Sequence, residues 1–188
     1  MIKKQFSKNN ELYTPRKWVE YIINYLESTK ALTKDMTVWC PFDLDISSFP
    51  TVLRQRGYKV INTHINTGQD FYNYIPEEPF DIIISNPPFT GKAQTLARLQ
   101  SLGPNIKWAL IYGNQFFLTS SFVRQLNDLN NFQMIAFERR MYFLSDYALD
   151  VEKPTKEVKT NPMFASLVLT NNLFLPKDFI VLKGVKNQ

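Results

Sequence analysis

The chain has 188 residues, 44% of them hydrophobic and 14% aromatic, with a charged fraction of 21%, which excludes a disordered chain and suits one domain with a sizeable core. The single cysteine, Cys40, excludes an internal disulfide framework and a cysteine-rich metal site, and no apolar run reaches signal or membrane length. A soluble cytoplasmic protein with no metal and no membrane partner is the expectation. The net charge of +5 is unevenly spread, with seven Lys/Arg against three acids in residues 1–34, three against seven in 35–90 and twelve against seven in 91–188. An acidic middle between basic flanks suits a site whose rims meet phosphates, and equally an ordinary basic surface.

Residues 1–13 are polar with scattered apolar positions and read as an irregular arm. A helix should follow, with Thr14 as its cap and Pro15 in the first helical position, where a missing N–H costs nothing. Trp18, Val19, Ile22, Ile23 and Leu26 recur at helical spacing and make its buried face. Thr37–Cys40 is the first candidate strand. A turn over 41–48 leads into a helix from about Phe49 to Arg56, stopped by Gly57, and Tyr58–Ile61 makes the second strand of a βαβ unit.

The most informative stretch is Asp81-Ile82-Ile83-Ile84-Ser85, an apolar strand that runs directly into Asn86-Pro87-Pro88-Phe89. Two prolines cannot continue a ladder, so the chain turns there and presents an amide at the carboxyl end of a central strand, with an aromatic ring three positions on. In open α/β sheets that edge is where ligands bind. Beyond it, Thr90-Gly91-Lys92 opens a helix over about 93–102, closed by Gly103-Pro104. Trp108–Tyr112 reads as a strand, Ser120–Leu129 as a helix, and Phe132–Phe137, Phe164–Thr170 and Phe179–Leu182 as further strands. The polar stretch from Leu144 to Pro162 is long for a connection and suits a lid or a substrate-facing loop, which together with Arg139 to Phe143 spans 139–162. The domain is expected to be single, 1–188, with the arm and first helix as an N-terminal segment, 1–34.

Asn86-Pro87-Pro88-Phe89 resembles the strand-end motif of the S-adenosylmethionine-dependent amino-methyltransferases, and the best match is to small DNA adenine-N6 methyltransferases such as those of bacteriophages. The resemblance implies an α/β, Rossmann-like methyltransferase fold, a mixed seven-stranded sheet in the order 3-2-1-4-5-7-6 with helices on both faces, closed by an antiparallel hairpin of the last two strands. It implies S-adenosyl-L-methionine as cofactor and DNA as partner, with a homodimer as one possible assembly. The chemistry agrees with the residues: an exocyclic amine has two hydrogens and a delocalised lone pair, so a catalyst must offer two acceptors, here the Asn86 side-chain carbonyl and the Pro87 backbone carbonyl. Phe89 would stack on the extruded base, and Pro88 would stiffen the turn.

By the same resemblance, Tyr13, Thr14 and Pro15 pass near the methionine part of the cofactor. Pro41 and Phe42 shape the first turn, Asp43 or Asp45 takes the ammonium, Asn62 accepts from the ribose, and Asp70 and Phe71 meet the adenine. Lys92, Arg139, Arg140 and Phe143 are the candidate nucleic-acid contacts. Asp70 equally suits a helix cap and Phe71 a core position. Two departures stand out: the 41–48 turn has no glycine, and Asn62 stands where the family keeps an acid. They leave room for a non-catalytic nucleic-acid-binding or partner subunit, while RNA adenine, cytosine N4 and protein glutamine remain alternative acceptors.

Overall fold

The computed structural model describes residues 12–114, 120–126, 128–129, 131–144, 159–160 and 166–183. Among these residues, four helices, α1 (Arg16–Ser28), α2 (Ser48–Gln55), α3 (Lys92–Ser101) and α4 (Ser120–Leu126), flank a seven-stranded sheet. Its strands, in chain order, are β1 (Thr37–Cys40), β2 (Lys59–Asn62), β3 (Ile82–Ser85), β4 (Lys107–Gly113), β5 (Phe132–Phe137), β8 (Ser166–Asn171) and β9 (Phe179–Leu182). A separate two-stranded sheet pairs β6 (Phe143–Leu144) with β7 (Lys159–Thr160).

The core follows from period-two alternation in strands that are covered on both faces. Val38, Cys40, Ile82, Ile84, Ala109 and Ile111 face one side and pack with Trp18, Val19, Ile22, Ile23 and Leu26 of α1 and Phe49, Val52 and Leu53 of α2. The intervening Trp39, Ile83, Trp108, Leu110 and Tyr112 face the other and pack with Leu96 and Leu99 of α3 and Phe122 of α4. Helices therefore cover both faces. Each large side chain so buried is worth on the order of 1.5–3 kcal/mol.

The strand order is β2-β1-β3-β4-β8-β5-β9, with β2, β1, β3 and β4 parallel and β8 antiparallel to both β4 and β5. Two expectations need correction. The closing hairpin is formed by β5 and β8, not by the last two strands, because β9 lies beyond β5 and pairs parallel with it. The Gln133 amide directs this path: its Nε2 donates to Leu175 O at 2.9 Å and Lys177 O at 3.2 Å, while its Oε1 accepts from Leu175 N at 2.7 Å, fastening the β8–β9 connection under the foot of β5. At the opposite edge, residues 63–81 form turns and a 3₁₀ segment at Ile65–Thr67 but no strand, so among the described residues β2 is the edge and no strand lies outside it.

The start of α1 also differs. The helix begins at Arg16, Pro15 holds the cap position, and Thr14 makes no capping bond. Most of the expected 139–162 loop, namely 145–158 and 161–162, lies outside the described residues, as do Phe164 and the first eleven residues of the arm.

Candidate functional site

The parallel strands β1, β3 and β4 end along one edge, and β5, parallel to them, ends there too. Beyond Trp39 and Ile83 the ladder between β1 and β3 gives out: Cys40 pairs onward only with β2, and Ile84 and Ser85 only with β4. The two strands therefore part where β1 has β2 on one side and β3 on the other, the switch point at which open α/β sheets place their ligand crevice. The NPPF segment leaves β3 into this crevice.

Asn86 is half-buried. Its Nδ2 donates to the carbonyl of Leu12 in the arm at 3.2 Å, whereas its Oδ1 is buried with no partner. The Leu12 bond fixes the amide, since the reverse orientation would set two oxygens against each other, and so the free atom is the acceptor. An unsatisfied buried acceptor costs roughly 1–3 kcal/mol, a cost that a donor-bearing ligand would remove. Pro87 is buried and Pro88 exposed. Phe89 is half-buried and meets Phe143 edge-on, with ring centroids 5.5 Å apart and planes at 85°. Phe143 is completely buried. The loop ends at Gly91, whose φ of +78° is a left-handed conformation that a side chain would strain.

The arm completes this corner. Tyr13 pairs with Leu144 through two backbone hydrogen bonds of 2.9 Å, which hold residues 12–15 between NPPF and β6. Thr14 is 6% exposed and its Oγ1, like Asn86 Oδ1, is buried without a partner. Arg139 and Arg140 are exposed in the turn after β5, on the same sheet edge. Lys92, the first residue of α3, is partly buried, and burial holds its ammonium below the ordinary lysine range. A lysine at the positive end of a helix dipole is stabilised by an anion.

On the far side of the crevice, the 41–43 turn is sewn to the end of β2. Asp43 N donates to Thr63 O at 3.1 Å, Thr63 N to Cys40 O at 3.1 Å, and Asn62 Nδ2 to Asp43 O at 3.2 Å. Asn62 Oδ1 accepts from Arg54, which also pairs with Asp45 at 3.2 Å. Both ends of the Asn62 amide are thus engaged within the protein. Pro41 is buried and Phe42 half-buried, and Phe42 packs on Phe71 with centroids 4.8 Å apart. Phe71 is itself 1% exposed against Trp39 and Tyr72, a core position. Asp70 Oδ1 accepts from Tyr72 N at 3.2 Å and so caps its own turn.

Asp43 differs from its neighbours. Its carboxyl is buried, and burial pushes its pKa up to about 7 even though hydrogen bonds from Ser85 and Ser47 oppose the rise. Ser85 Oγ donates to Asp43 Oδ2. Sequence reasoning missed Ser85, although a serine ending an otherwise apolar buried strand was a visible oddity. It also missed the Leu12 carbonyl, a backbone group with no sequence signature.

The residues fit S-adenosylmethionine in part. Thr14 Oγ1 is an unsatisfied polar atom and Asp43 a buried carboxyl, both suited to the charged amino-acid end of such a molecule, whereas Asn62 Oδ1 already accepts from Arg54 and one of the two Asp70 carboxylate oxygens from Tyr72 N. Among the described residues, a cavity of about 340 Å³ lined by Leu99, Pro104, Ile106, Trp108 and Leu129 lies at the opposite end of β4 and does not join this crevice. No group of three or more potential metal ligands occurs among the described residues, and none of their helices is long and apolar enough to cross a membrane.

No family model and no curated protein matches the sequence. Solved structures similar to the chain include a protein described as a modification subunit of a type I restriction enzyme from Vibrio vulnificus YJ016 (13% identity, TM-score 0.47, covering 95% of this chain and 48% of that one). The 23S rRNA methyltransferase ErmE is also similar (15%, 0.46, 93% and 73%), as is a protein described as a methyltransferase from Thermoplasma acidophilum (12%, 0.39, 91% and 68%). The chain spans about half the length of the first of these.

Proposed function

We propose that the chain transfers a methyl group from S-adenosylmethionine to an exocyclic amine of a nucleic-acid base, with adenine N6 in DNA as the preferred acceptor. The observation that carries this reading is the oriented, buried and unpartnered Asn86 Oδ1 at the carboxyl end of a central parallel strand. Asn86 Oδ1 accepts one amine hydrogen and the Pro87 carbonyl the other, which draws the nitrogen lone pair out of conjugation. Phe89, clamped by Phe143, offers a ring face to the base. Thr14 and Asp43 would hold the amino-acid end of the cofactor, which when bound supplies an electrophilic methyl group. Arg139, Arg140 and Lys92 would take phosphates along the same edge. The test is transfer of a labelled methyl group to unmethylated DNA, followed by digestion and identification of the modified nucleoside. Label in adenine N6 supports the reading; label in cytosine, RNA or protein moves Asn86 to another amine.

A second reading is favoured by a specific observation on the cofactor side. Asn62 is spent on Arg54 and on the Asp43 carbonyl, and one oxygen of the Asp70 carboxylate on its own turn. A partner or nucleic-acid-binding subunit that keeps the fold without turnover would look like this. Calorimetry with S-adenosylmethionine separates the two, since this second reading requires no binding at millimolar cofactor.

A further inference from the structure

Ser85 ends β3 and Asp43 lies in the turn after β1, and the two meet where β1 and β3 part. Ser85 is fully buried, is the last residue of β3 and is peptide-bonded to Asn86. Asp43 ends the turn that follows β1. The hydrogen bond between them is therefore a direct tie, across the crevice, from the cofactor turn to the backbone that carries the acceptor amide.

Among the described residues, no cationic side chain is paired with Asp43. The guanidinium of Arg54, on α2, is engaged by Asp45 and Asn62. From β1 the facing group is the buried Cys40 thiol, whose pKa is raised first by burial and then by the charge of Asp43. From the cap position of α2 it is Ser47, from β3 Ser85, and from the residue after β2 the backbone of Thr63. A buried carboxylate stabilised only by hydroxyl donors is a receptor for a cation brought by a ligand.

Resting on the methyltransferase reading above, we propose that Ser85 is a positioning residue that holds the Asp43 carboxylate toward the cofactor's primary ammonium and links occupancy of that site to the placement of Asn86. Deprotonation of Asp43 then favours the ammonium, so cofactor affinity rises with pH through the titration of Asp43, until the ligand's own ammonium titrates. Loss of the Ser85 hydroxyl removes a donor to the charged form, which moves the Asp43 titration upward and weakens the ligand.

The experiment uses the full chain, S-adenosylhomocysteine as a probe that carries the ammonium without the reactive methyl, and the variants Ser85→Ala and Ser85→Thr. Titration of the Asp43 carboxyl carbon by nuclear magnetic resonance, without ligand, should move to higher pH in Ser85→Ala and return toward the parent value in Ser85→Thr. Calorimetry should show affinity rising with pH in the parent, with Ser85→Ala about tenfold weaker at pH 7, the size expected for one hydrogen bond to a charged group. The side-chain amide resonances of Asn86 should shift on adding the probe to the parent and shift less in Ser85→Ala. An unmoved Asp43 titration, or an Asn86 response of equal size in Ser85→Ala, overturns the proposal while leaving the methyltransferase reading in place. Absence of probe binding to the parent at any pH removes that reading, and this proposal with it.

Discussion

Two asparagines close two nearby parallel strands, and they end in opposite states. Asn62 finishes β2 with both ends of its amide hydrogen-bonded inside the protein, to the Asp43 carbonyl and the Arg54 guanidinium. Asn86 follows β3 with its nitrogen engaged by Leu12 and its oxygen buried and unpaired. A satisfied amide holds the fold together, whereas an unsatisfied one adds free energy that a ligand can recover. Residue type is the same and the positions differ by one, Asn62 ending its strand and Asn86 following its own, so the difference lies mainly in what the rest of the chain brings to each amide.

The largest effect expected from breaking this contrast is Asn86→Ala. Methyl transfer should fall by about 100-fold or more, the usual scale for removing one preorganised hydrogen-bonding group from a reacting centre. Thermal unfolding should change little, because the variant removes an unsatisfied oxygen together with one bond to a backbone carbonyl. A large fall in melting temperature with proportional loss of transfer would make Asn86 a structural residue like Asn62. Phe89→Ala comes next. It should weaken the hold on an extruded base by roughly 1–3 kcal/mol, read as a change in affinity for DNA carrying an abasic partner opposite the target adenine. Equal affinity in variant and parent would leave Phe89 as a core residue that packs on Phe143.

Asp43 sharpens the comparison from the other side of the crevice. Its folded-state pKa is about 7, while an unfolded aspartate titrates near the ordinary carboxylate value of 3.8. Between those two values the folded chain holds a proton that the unfolded chain has released, so the stability from Asp43 is full below about pH 4 and lost as pH rises through about 7. Asp43→Asn should abolish this slope, and denaturant unfolding should show a gain of about 1–3 kcal/mol at pH 8 relative to the parent, the range for relieving an ill-matched buried polar group. A parent protein whose stability is flat between pH 5 and 8 would show that Asp43 is ionised throughout.

Much of this arrangement could be read in the sequence because it rests on local rules. The triple isoleucine of β3 and the two prolines after Asn86 place an amide at a strand end, and alternation in β1 and β4 separates the two faces of the core. What could not be read depends on contacts between distant residues. Ser85 reaches Asp43 across 42 positions, and Leu12 reaches Asn86 across 74. The route of β9 past β5 depends on one buried glutamine side chain, 42 residues before Leu175 in the chain. The Thr14 cap failed for a related reason: the arm is tied down by Leu144, and that pairing places Thr14 inside the corner rather than over the helix N–H groups.

The smallest effect is expected at Asn62, and it is the most direct test of the contrast. Asn62→Ala deletes an acceptor for Arg54 and a donor to the Asp43 carbonyl, both at a half-buried position, so it should cost about 1 kcal/mol in unfolding free energy, the net value of such hydrogen bonds. Arg54 keeps Asp45 as a partner, which limits the loss. S-adenosylhomocysteine affinity should stay within about threefold of the parent, because an oxygen already accepting from Arg54 has little to offer a ribose hydroxyl. Calorimetry on this variant beside Asn86→Ala gives the comparison in a single assay, since Asn86→Ala should also leave cofactor affinity nearly unchanged while its transfer activity collapses. A drop of tenfold or more in affinity for Asn62→Ala, with stability preserved, would mean that Arg54 releases the amide when the cofactor arrives. In that event the hydrogen bonds of Asn62 would describe a resting arrangement, and Asn62 would stand with Asn86 as a residue held ready for a ligand.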